Sequence, residues 1–502
     1  MWTKHSLHDM IQNNLRDHDL IVVANREPYH HRYANGRIEC VPPASGMVSA
    51  LDPLVRACGG VWVAHGSGSA DRKTVDAHDC IRVPPEDPSY TLRRVWLTKK
   101  QEDYYYYGLS NGGLWPLCHN VFTRPEFDPH HWEVYREVNE LFAEAVLEEA
   151  GDAAAFVFVQ DYHFALLPRI LKERNPKLIV AQFWHIPWPN PEVFQVFPWK
   201  EELLEGLLGN DLLGFHLRYH CQHFLDTVDQ TFEAKVDYEG FNVTRGGKTT
   251  AVRPFPIGID YEQHASAAAS PAVDDARLRW RRHLGLNGGV LGVGIDRIDY
   301  TKGIPERLRA LDRFLENHAD YRERMTFVQI GVPSRVHIHQ YQQLGDEINA
   351  LVETINWKWS TDTWRPIVFL KEQHGSVDMM ALHQLADFCI VSSLDDGMNL
   401  VAKEFVASRI DEDGVLILSR FTGAARELSQ ALLVNPFAVD EVADAVHQAL
   451  TMAPEERRRR MQKMRAVVAD NNIYRWAGKF VSALLKFDAS ENGYAAKELV
   501  LQ

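Results

Sequence analysis

The 502-residue chain contains 54 Lys and Arg, 68 Asp and Glu and 45% hydrophobic residues, which gives a formal net charge of −14. A chain of this length usually divides into more than one hydrophobic core, so two domains are expected, and the acidic balance argues against nucleic acid as a partner. The sequence has no run of 18 apolar residues, no apolar leader and no CxxC pair among its six cysteines, which argues against a membrane span and predicts a cytoplasmic protein.

Short apolar runs of strand character alternate with helical patterns along the chain. The runs lie at 20–24, 156–160, 178–184 and 211–216, then at 290–295, 325–331, 366–370, 388–392 and 415–419. The stretch 40–107, rich in Pro, Gly and Asp, is predicted to form loops and short hairpin strands. Apolar strands separated by helices are typical of parallel sheets buried on both faces. The sequence therefore predicts an α/β protein with two doubly wound, Rossmann-like domains.

The boundary between the domains is predicted where Pro254, Pro256 and Gly258 interrupt the chain. This gives a first domain at 1–258 and a second at 259–502, with a last helix around 473–487 for which a crossing back to the first domain is left open. Ligands of such sheets bind beyond the carboxyl ends of the strands, and a pair of domains adds a central cleft. Functional residues are expected directly after strands in both halves.

The segment 294–303 follows a strand and precedes a helix. It places Arg297 and Lys302 five residues apart beside Gly303, a pattern that suits a clamp for a diphosphate because cations and helix amides both bind phosphate oxygens. The pattern also fits two surface ion pairs, in which Asp296 and Asp299 neutralise these cations. Spacing alone does not decide between the two.

A second segment, 393–404, has the same position after a strand. Gly397 allows close approach of a ligand, and the amides that follow open a helix where phosphate oxygens can bind. Asp396 and Glu404 are placed to accept hydrogen bonds from sugar and ribose hydroxyls. The alternative is that Asp396 caps the helix and Glu404 is a solvated residue.

These two segments, RIDYTKG at 297–303 and DGMNLVAKE at 396–404, resemble the signature stretches of the trehalose-6-phosphate synthase family of retaining glycosyltransferases. Further similarity lies in NREP at 25–28, SNGGLWP at 110–116, VQDYH at 159–163, HIPWP at 185–189 and NPF at 435–437. The similarity runs in order from about residue 20 to about residue 485. The resemblance implies the GT-B arrangement, in which the two domains face a central cleft, and it identifies glucosylglycerol-phosphate synthases as a sister group.

The resemblance also implies roles for individual residues. For the donor nucleotide-sugar these are Arg297, Lys302, His185 and Asp396 in catalysis, with Gly46, Met398, Asn399, Leu400 and Glu404 in binding. For the acceptor they are Arg26, Tyr106 and Arg335 at its phosphate, with Trp62, Trp115 and Asp161 along its sugar. Front-face attack with retention needs no protein nucleophile. Cations would stabilise the departing diphosphate, so neither a metal nor another cofactor is expected.

The expected reaction joins glucose from UDP-glucose to glucose 6-phosphate, giving α,α-trehalose 6-phosphate. The alternative is glucosylglycerol-phosphate synthesis from ADP-glucose and glycerol 3-phosphate. Ser45-Gly46 stands where the family usually has a Gly-Gly pair, His65 stands where another aromatic residue is usual, and Arg26-Glu27-Pro28-Tyr29 resembles the sister group. A non-catalytic sugar-phosphate sensor is less consistent with the retained donor residues. The expected partners are small substrates alone; a homo-oligomer is left open.

Overall fold

The computed structural model describes residues 2–14, 19–41, 48, 51–52, 54–56, 59–286 and 288–491. The chain forms two compact units. The first contains the chain up to Ile257 together with the segment from Ile473 onward, and the second spans Gly258–Asn472. No helix in the described ranges combines the length and apolar character that a membrane crossing requires.

The first unit is built on a ten-stranded sheet in the order β10-β11-β12-β9-β8-β7-β1-β4-β6-β5. Strands β12 through β6 in that order run parallel, and antiparallel hairpin strands extend both edges. A separate hairpin pairs β2 with β3. The strands are β1 Asp19–Arg26, β2 His30–Ala34, β3 Arg37–Val41, β4 Val61–His65, β5 Cys80–Val83, β6 Tyr90–Val95, β7 Ala155–Gln160, β8 Ile179–Phe183, β9 Leu212–Phe215, β10 Lys235–Asp237, β11 Asn242–Arg245 and β12 Lys248–Pro254.

Helices cover the faces of this sheet. They are α1 Lys4–Asn14, α2 Lys99–Gln101, α3 Trp115–Cys118, α4 Pro129–Ala150, α5 Leu167–Arg174, α6 Pro191–Phe194, α7 Lys200–Leu207 and α8 Arg218–Thr231, with a π-helical stretch at Glu102–Leu114. The apolar runs predicted in this half all form strands, because residues such as Val22 and Val157 have no exposed surface on either face of the sheet. The prediction for 40–107 is partly wrong: β4 and β6 are parallel strands of the main sheet, and the tyrosine run 104–107 is helical.

The second unit has a six-stranded parallel sheet in the order β15-β14-β13-β16-β17-β18. Its strands are β13 Val290–Arg297, β14 Met325–Val332, β15 Ile367–Leu370, β16 Phe388–Val391, β17 Val415–Ser419 and β18 Leu432–Val434. The helices are α9 Tyr261–Ala268, α10 Pro271–His283, α11 Ile304–Asn317, α12 His339–Trp359, α13 Ser376–Leu385, α14 Leu400–Ser408, α15 Val439–Thr451 and α16 Pro454–Asp470. Each apolar run predicted in this half forms a strand, so both units have the doubly wound architecture.

The last helix, α17 Ile473–Glu491, packs on the sheet of the first unit. The Phe480 ring lies 4.1 Å from that of Phe158, and the Trp476 indole donates a hydrogen bond to the Phe255 carbonyl at 3.2 Å. Phe480 is 1% exposed and Trp476 is 2% exposed. Burial of two such aromatic side chains is worth several kcal/mol, so this helix belongs to the core of the first unit.

Candidate active site

In the first unit, side chains at the carboxyl ends of β1 and β4 line a cavity of about 280 Å³. Its walls are Asn25, Arg26, Glu27, His30, Val48, His65, Ser67, Leu97, Glu102 and Tyr106. Arg26 is exposed, and no carboxylate within the described ranges forms an ion pair with its guanidinium. The structure therefore brings Arg26 and Tyr106 together around a polar cavity that carries a charge able to bind an anion.

A buried ionic network that no sequence motif indicates lies behind this cavity. The Arg94 guanidinium, which has no exposed surface, pairs with Glu27 at 2.9 Å and with Asp71 at 3.0 Å. Glu27 also accepts a hydrogen bond from the amide of Ser67 at 3.0 Å. Burial and the neighbouring Asp71 raise the pKa of Glu27 to about 8. Because Glu27 follows Arg26 directly, the network fixes the backbone that carries Arg26.

Asp161 and His185 meet at the ends of β7 and β8. The Asp161 carboxylate accepts hydrogen bonds from the amides of Tyr162 at 3.0 Å and His185 at 3.1 Å. The His185 ring nitrogen Nε2 lies 2.9 Å from the Gln160 amide oxygen. Burial lowers the pKa of His185 to about 3, so its imidazole is neutral at physiological pH and serves as a hydrogen-bonding group.

Of the two tryptophans predicted to line the acceptor sugar, only Trp115 lies close to the other predicted acceptor residues. Trp115 is 7% exposed and its ring lies 6.0 Å from that of Tyr162, the neighbour of Asp161. Trp62 has no exposed surface and stacks on Tyr90, so the structure does not bring it to the cavity; His65, on the same strand, forms part of the wall instead. Gly46 lies outside the described residues.

In the second unit, the predicted donor residues converge at the carboxyl edge of the sheet. Lys302 Nζ donates to Asp396 Oδ2 at 2.6 Å, and the same oxygen accepts from Asn399 Nδ2 at 3.1 Å. Arg297 is the last residue of β13, and its side chain is 39% exposed. Gly303 has φ +60°, and a Cβ there would lie 2.2 Å from the Ser392 carbonyl oxygen. Glycine is therefore required where this loop meets the neighbouring strand.

The other residues predicted to bind the donor lie at the start of α14. Asn399 caps the helix, since its Oδ1 accepts from the Ala402 amide at 3.0 Å, and Met398 and Leu400 flank the cap. Burial raises the pKa of Glu404, one turn into the helix, and its carboxylate forms no ion pair with a residue in the described part of the chain. A carboxylate of this kind is available to hydroxyl donors of a ligand.

The alternative of two surface ion pairs is wrong for Lys302 and Asp296, whereas Arg297 does lie 3.9 Å from Asp299. Asp296 pairs with Arg307 at 2.8 Å, and Lys302 pairs with Asp396 in the other motif. Asp299 has no exposed surface; its Oδ2 lies 3.2 Å from Arg335 Nη1 and 3.9 Å from Arg297 Nη2. The structure thus gathers Arg297, Lys302, Arg335, Asp396 and Glu404 at one edge of a single sheet. Within the described ranges no group of three or more His, Cys, Asp or Glu is arranged to hold a metal ion.

Four buried imidazoles predict a pH-dependent stability. Burial lowers the pKa to about 3 in His185, His220 and His383, and to about 4 in His264. Their pKa in the unfolded chain is about 6.5, so their contribution is fully present above pH 6.5 and is lost as the pH falls toward 4 for His264 and toward 3 for the other three. Each imidazole then contributes about 1.4 kcal/mol per pH unit to the decline.

We expect the unfolding temperature, followed by circular dichroism, to fall between pH 6.5 and 4.5. The slope should be smaller in His220→Leu, because the imidazole of His220 forms no hydrogen bond with a described residue and its titration is removed. His5, whose side chain is 85% exposed, provides the control His5→Asn, which should follow the wild-type curve. If the unfolding temperature falls equally steeply with pH in His220→Leu and in the wild type, His220 does not contribute to the pH dependence of stability.

The sequence model of glycosyltransferase family 20 matches residues 18–486. The chain is 39% identical over 475 residues to the trehalose-6-phosphate synthase of Mycolicibacterium vanbaalenii, covering 93% of this chain and 96% of that protein. It is 35% identical over 470 residues to the UDP-forming α,α-trehalose-phosphate synthase of Botryotinia fuckeliana, covering 93% of this chain and 88% of that protein.

Solved structures are similar to this chain over nearly its whole length as well. An E. coli structure bound with UDP-2-fluoro glucose is 32% identical, with a TM-score of 0.83 over 93% of this chain and 99% of that chain. The UDP-forming α,α-trehalose-phosphate synthase of Burkholderia xenovorans in complex with glucose-6-phosphate is 31% identical, with a TM-score of 0.83 over 93% of this chain and 99% of that chain. The fold class, two Rossmann-like α/β domains of the GT-B type, is confirmed.

Proposed function

Because the chain belongs to glycosyltransferase family 20, we propose that it is a retaining glucosyltransferase that forms α,α-trehalose 6-phosphate and UDP from UDP-glucose and glucose 6-phosphate. The observation that carries this proposal is the convergence of Arg297, Lys302 and Asp396 at the carboxyl edge of the second sheet. These substrates are favoured over ADP-glucose and glycerol 3-phosphate by the relatives named for the UDP-forming reaction and by the solved structures with UDP-2-fluoro glucose and with glucose-6-phosphate.

The donor site is proposed from the contacts of the second unit. Arg297 and Lys302 bind the diphosphate and stabilise the negative charge that grows on it as the glycosidic bond breaks. Asp396, together with the backbone amides of Met398, Asn399 and Leu400, holds the sugar and its phosphate, and Glu404 accepts hydrogen bonds from the ribose hydroxyls. Lys302 and Asp396 are already held together at 2.6 Å, so the cation needs little reorganisation when the donor binds.

The acceptor residues are proposed from the resemblance to the family and, in the first unit, from the cavity that Arg26 and Tyr106 line. Arg26, Tyr106 and Arg335 are assigned to the phosphate, and Asp161 and Trp115 to the sugar hydroxyls. His185, whose imidazole is neutral, is assigned to the transferred glucose. The acceptor hydroxyl attacks the face from which the diphosphate leaves and gives its proton to the departing phosphate, so the protein supplies orientation and charge.

Nucleotide release tests this reaction. The protein is incubated, without added metal, with UDP-, ADP- or GDP-glucose and with either glucose 6-phosphate or glycerol 3-phosphate. We expect turnover with UDP-glucose and glucose 6-phosphate, with the product identified as α,α-trehalose 6-phosphate by mass and NMR, and no effect of EDTA. Absence of turnover with every pair contradicts the proposed activity, and preference for ADP-glucose with glycerol 3-phosphate selects the sister reaction.

Arg335→Ala is expected to raise the KM for glucose 6-phosphate by about 10- to 100-fold, because a hydrogen bond to a charged group contributes about 1.5–3 kcal/mol. The KM for UDP-glucose should change much less. Arg324→Ala, which removes an exposed arginine at the opposite end of β14, is the matched control and should retain wild-type constants. An unchanged acceptor KM in Arg335→Ala removes this residue from the phosphate site.

A further inference from the structure

The Asp299 carboxylate interacts with Arg297 and Lys302, the cations proposed for the donor, and with Arg335, the cation proposed for the acceptor. Asp299 lies between Arg297 and Lys302 in the sequence, yet it has no exposed surface. Its Oδ1 accepts from the amide of Thr301 at 3.1 Å and from its hydroxyl at 3.0 Å. These two bonds fix the loop that carries Arg297 and Lys302.

The second oxygen of the same carboxylate faces the loop after β14. Asp299 Oδ2 accepts from Arg335 Nη1 at 3.2 Å and from the Tyr341 hydroxyl at 3.2 Å, and Arg335 Nη1 also donates to the Tyr341 oxygen at 2.5 Å. The Arg335 side chain is 6% exposed, and its backbone has φ +50°. The guanidinium is therefore held in one orientation by two buried partners, and the backbone at this position is constrained as well.

The electrostatics of the cluster agree with this geometry. Burial alone would raise the pKa of Asp299, but the charges of Arg335, Arg297 and Lys302, together with the Thr301 amide, hold it below its ordinary value. Asp299 is thus an anion at neutral pH, and it serves as a counter-ion to cations assigned above to both substrates. The Tyr341 hydroxyl bonds Arg335 and Asp299, whereas the Tyr341 ring packs at 5.2 Å on the ring of Tyr300, a residue of the loop between Arg297 and Lys302.

We propose that Asp299 is a positioning residue for both substrates and that Tyr341 is a positioning residue that acts on the acceptor through its hydroxyl, which holds Arg335. Asp299 fixes the loop of Arg297 and Lys302 through Oδ1 and orients Arg335 through Oδ2, while the Tyr341 hydroxyl locks the Arg335 guanidinium against it. This assignment rests on the proposed function, because it takes Arg297 and Lys302 as donor residues and Arg335 as an acceptor residue.

The two variants Tyr341→Phe and Asp299→Asn test the assignment. Tyr341→Phe keeps the ring and removes one hydroxyl, and we expect the KM for glucose 6-phosphate to rise about 3- to 10-fold while kcat and the KM for UDP-glucose stay within twofold. Asp299→Asn removes the charge, and both KM values should rise about 10-fold. Tyr321→Phe is the matched control, since the Tyr321 ring packs on Phe314 on the same unit without contact to Asp299.

The outcomes separate the positioning roles from the activity itself. If the wild type turns over these substrates and Tyr341→Phe leaves the acceptor KM unchanged, or raises both KM values equally, the role of Tyr341 is overturned while the proposed function stands. If the wild type does not turn over, the proposed function fails first. A folded Asp299→Asn variant with both KM values unchanged overturns the role of Asp299. Should that variant not fold, as judged by its unfolding temperature, Tyr341→Phe decides the acceptor part of the assignment.

Discussion

Replacing Arg297 with alanine is expected to lower kcat by about 10²- to 10³-fold with UDP-glucose and glucose 6-phosphate, while the protein remains folded. Removal of one group that stabilises charge in the transition state typically has this effect. Arg297 ends β13, its side chain is 39% exposed, and its Nη2 lies 3.9 Å from Asp299 Oδ2. In the variant Asp299 keeps its bonds to Arg335, Tyr341 and Thr301, so we expect the substitution to act on the reaction more than on stability.

Steady-state rates of nucleotide release measure this effect, with Arg297→Lys as a second variant. Lysine retains the charge but not the two-pronged geometry of the guanidinium, so intermediate activity is expected. Arg277→Ala, which removes a half-exposed arginine of α10 paired with Asp274, is the control and should have the wild-type rate. A kcat for Arg297→Ala within threefold of the wild type rejects the proposed diphosphate site.

Replacing Arg307 with methionine is expected to lower the free energy of unfolding by about 3–5 kcal/mol, the usual cost of removing one partner of a buried ion pair. Arg307 has no exposed surface and donates to Asp296 Oδ2 and Gln329 Oε1, each at 2.8 Å, and to Ser392 Oγ at 3.0 Å. Burial already raises the pKa of Asp296, and loss of the guanidinium raises it further. Methionine fills part of the volume but donates no hydrogen bond.

Urea denaturation monitored by tryptophan fluorescence measures the loss. The control is Arg309→Met, which lies on the same helix two residues later, with a side chain that is 45% exposed and pairs with Glu347. That substitution should cost less than about 1 kcal/mol, as is usual for surface ion pairs. Equal midpoints for the two variants contradict a stabilising role for the buried network.

The strands that were easiest to predict are those buried on both faces. Val290–Arg297 and Met325–Val332 form continuous apolar runs because helices cover both sides of a parallel sheet. Val61–His65 and Tyr90–Val95 were missed as members of the main sheet. They are short, and the Pro- and Gly-rich sequence around them is also typical of loops, so local pattern alone did not distinguish a sheet strand from a hairpin.

The donor motifs could be located from the sequence, but their contacts could not. The partner of Lys302 is Asp396, 94 positions further along the chain, whereas local spacing pointed to Asp296 or Asp299. Only the strand order, which places β16 beside β13, brings the two motifs together. Arg94 and Glu27 likewise meet across 67 positions, and no local pattern identifies such pairs.

The contribution of helix Ile473–Glu491 to the first unit affects how the protein is synthesised. The aromatic surface formed by Phe158, Phe183 and Phe255 stays uncovered on the ribosome until the whole second unit has been translated, a delay of roughly 10–40 s at an elongation rate of about 5–20 residues per second. During that interval the nascent chain presents an apolar face to chaperones and to other unfinished chains. Removal of the last helix thus leaves the first unit, rather than the second, prone to aggregate.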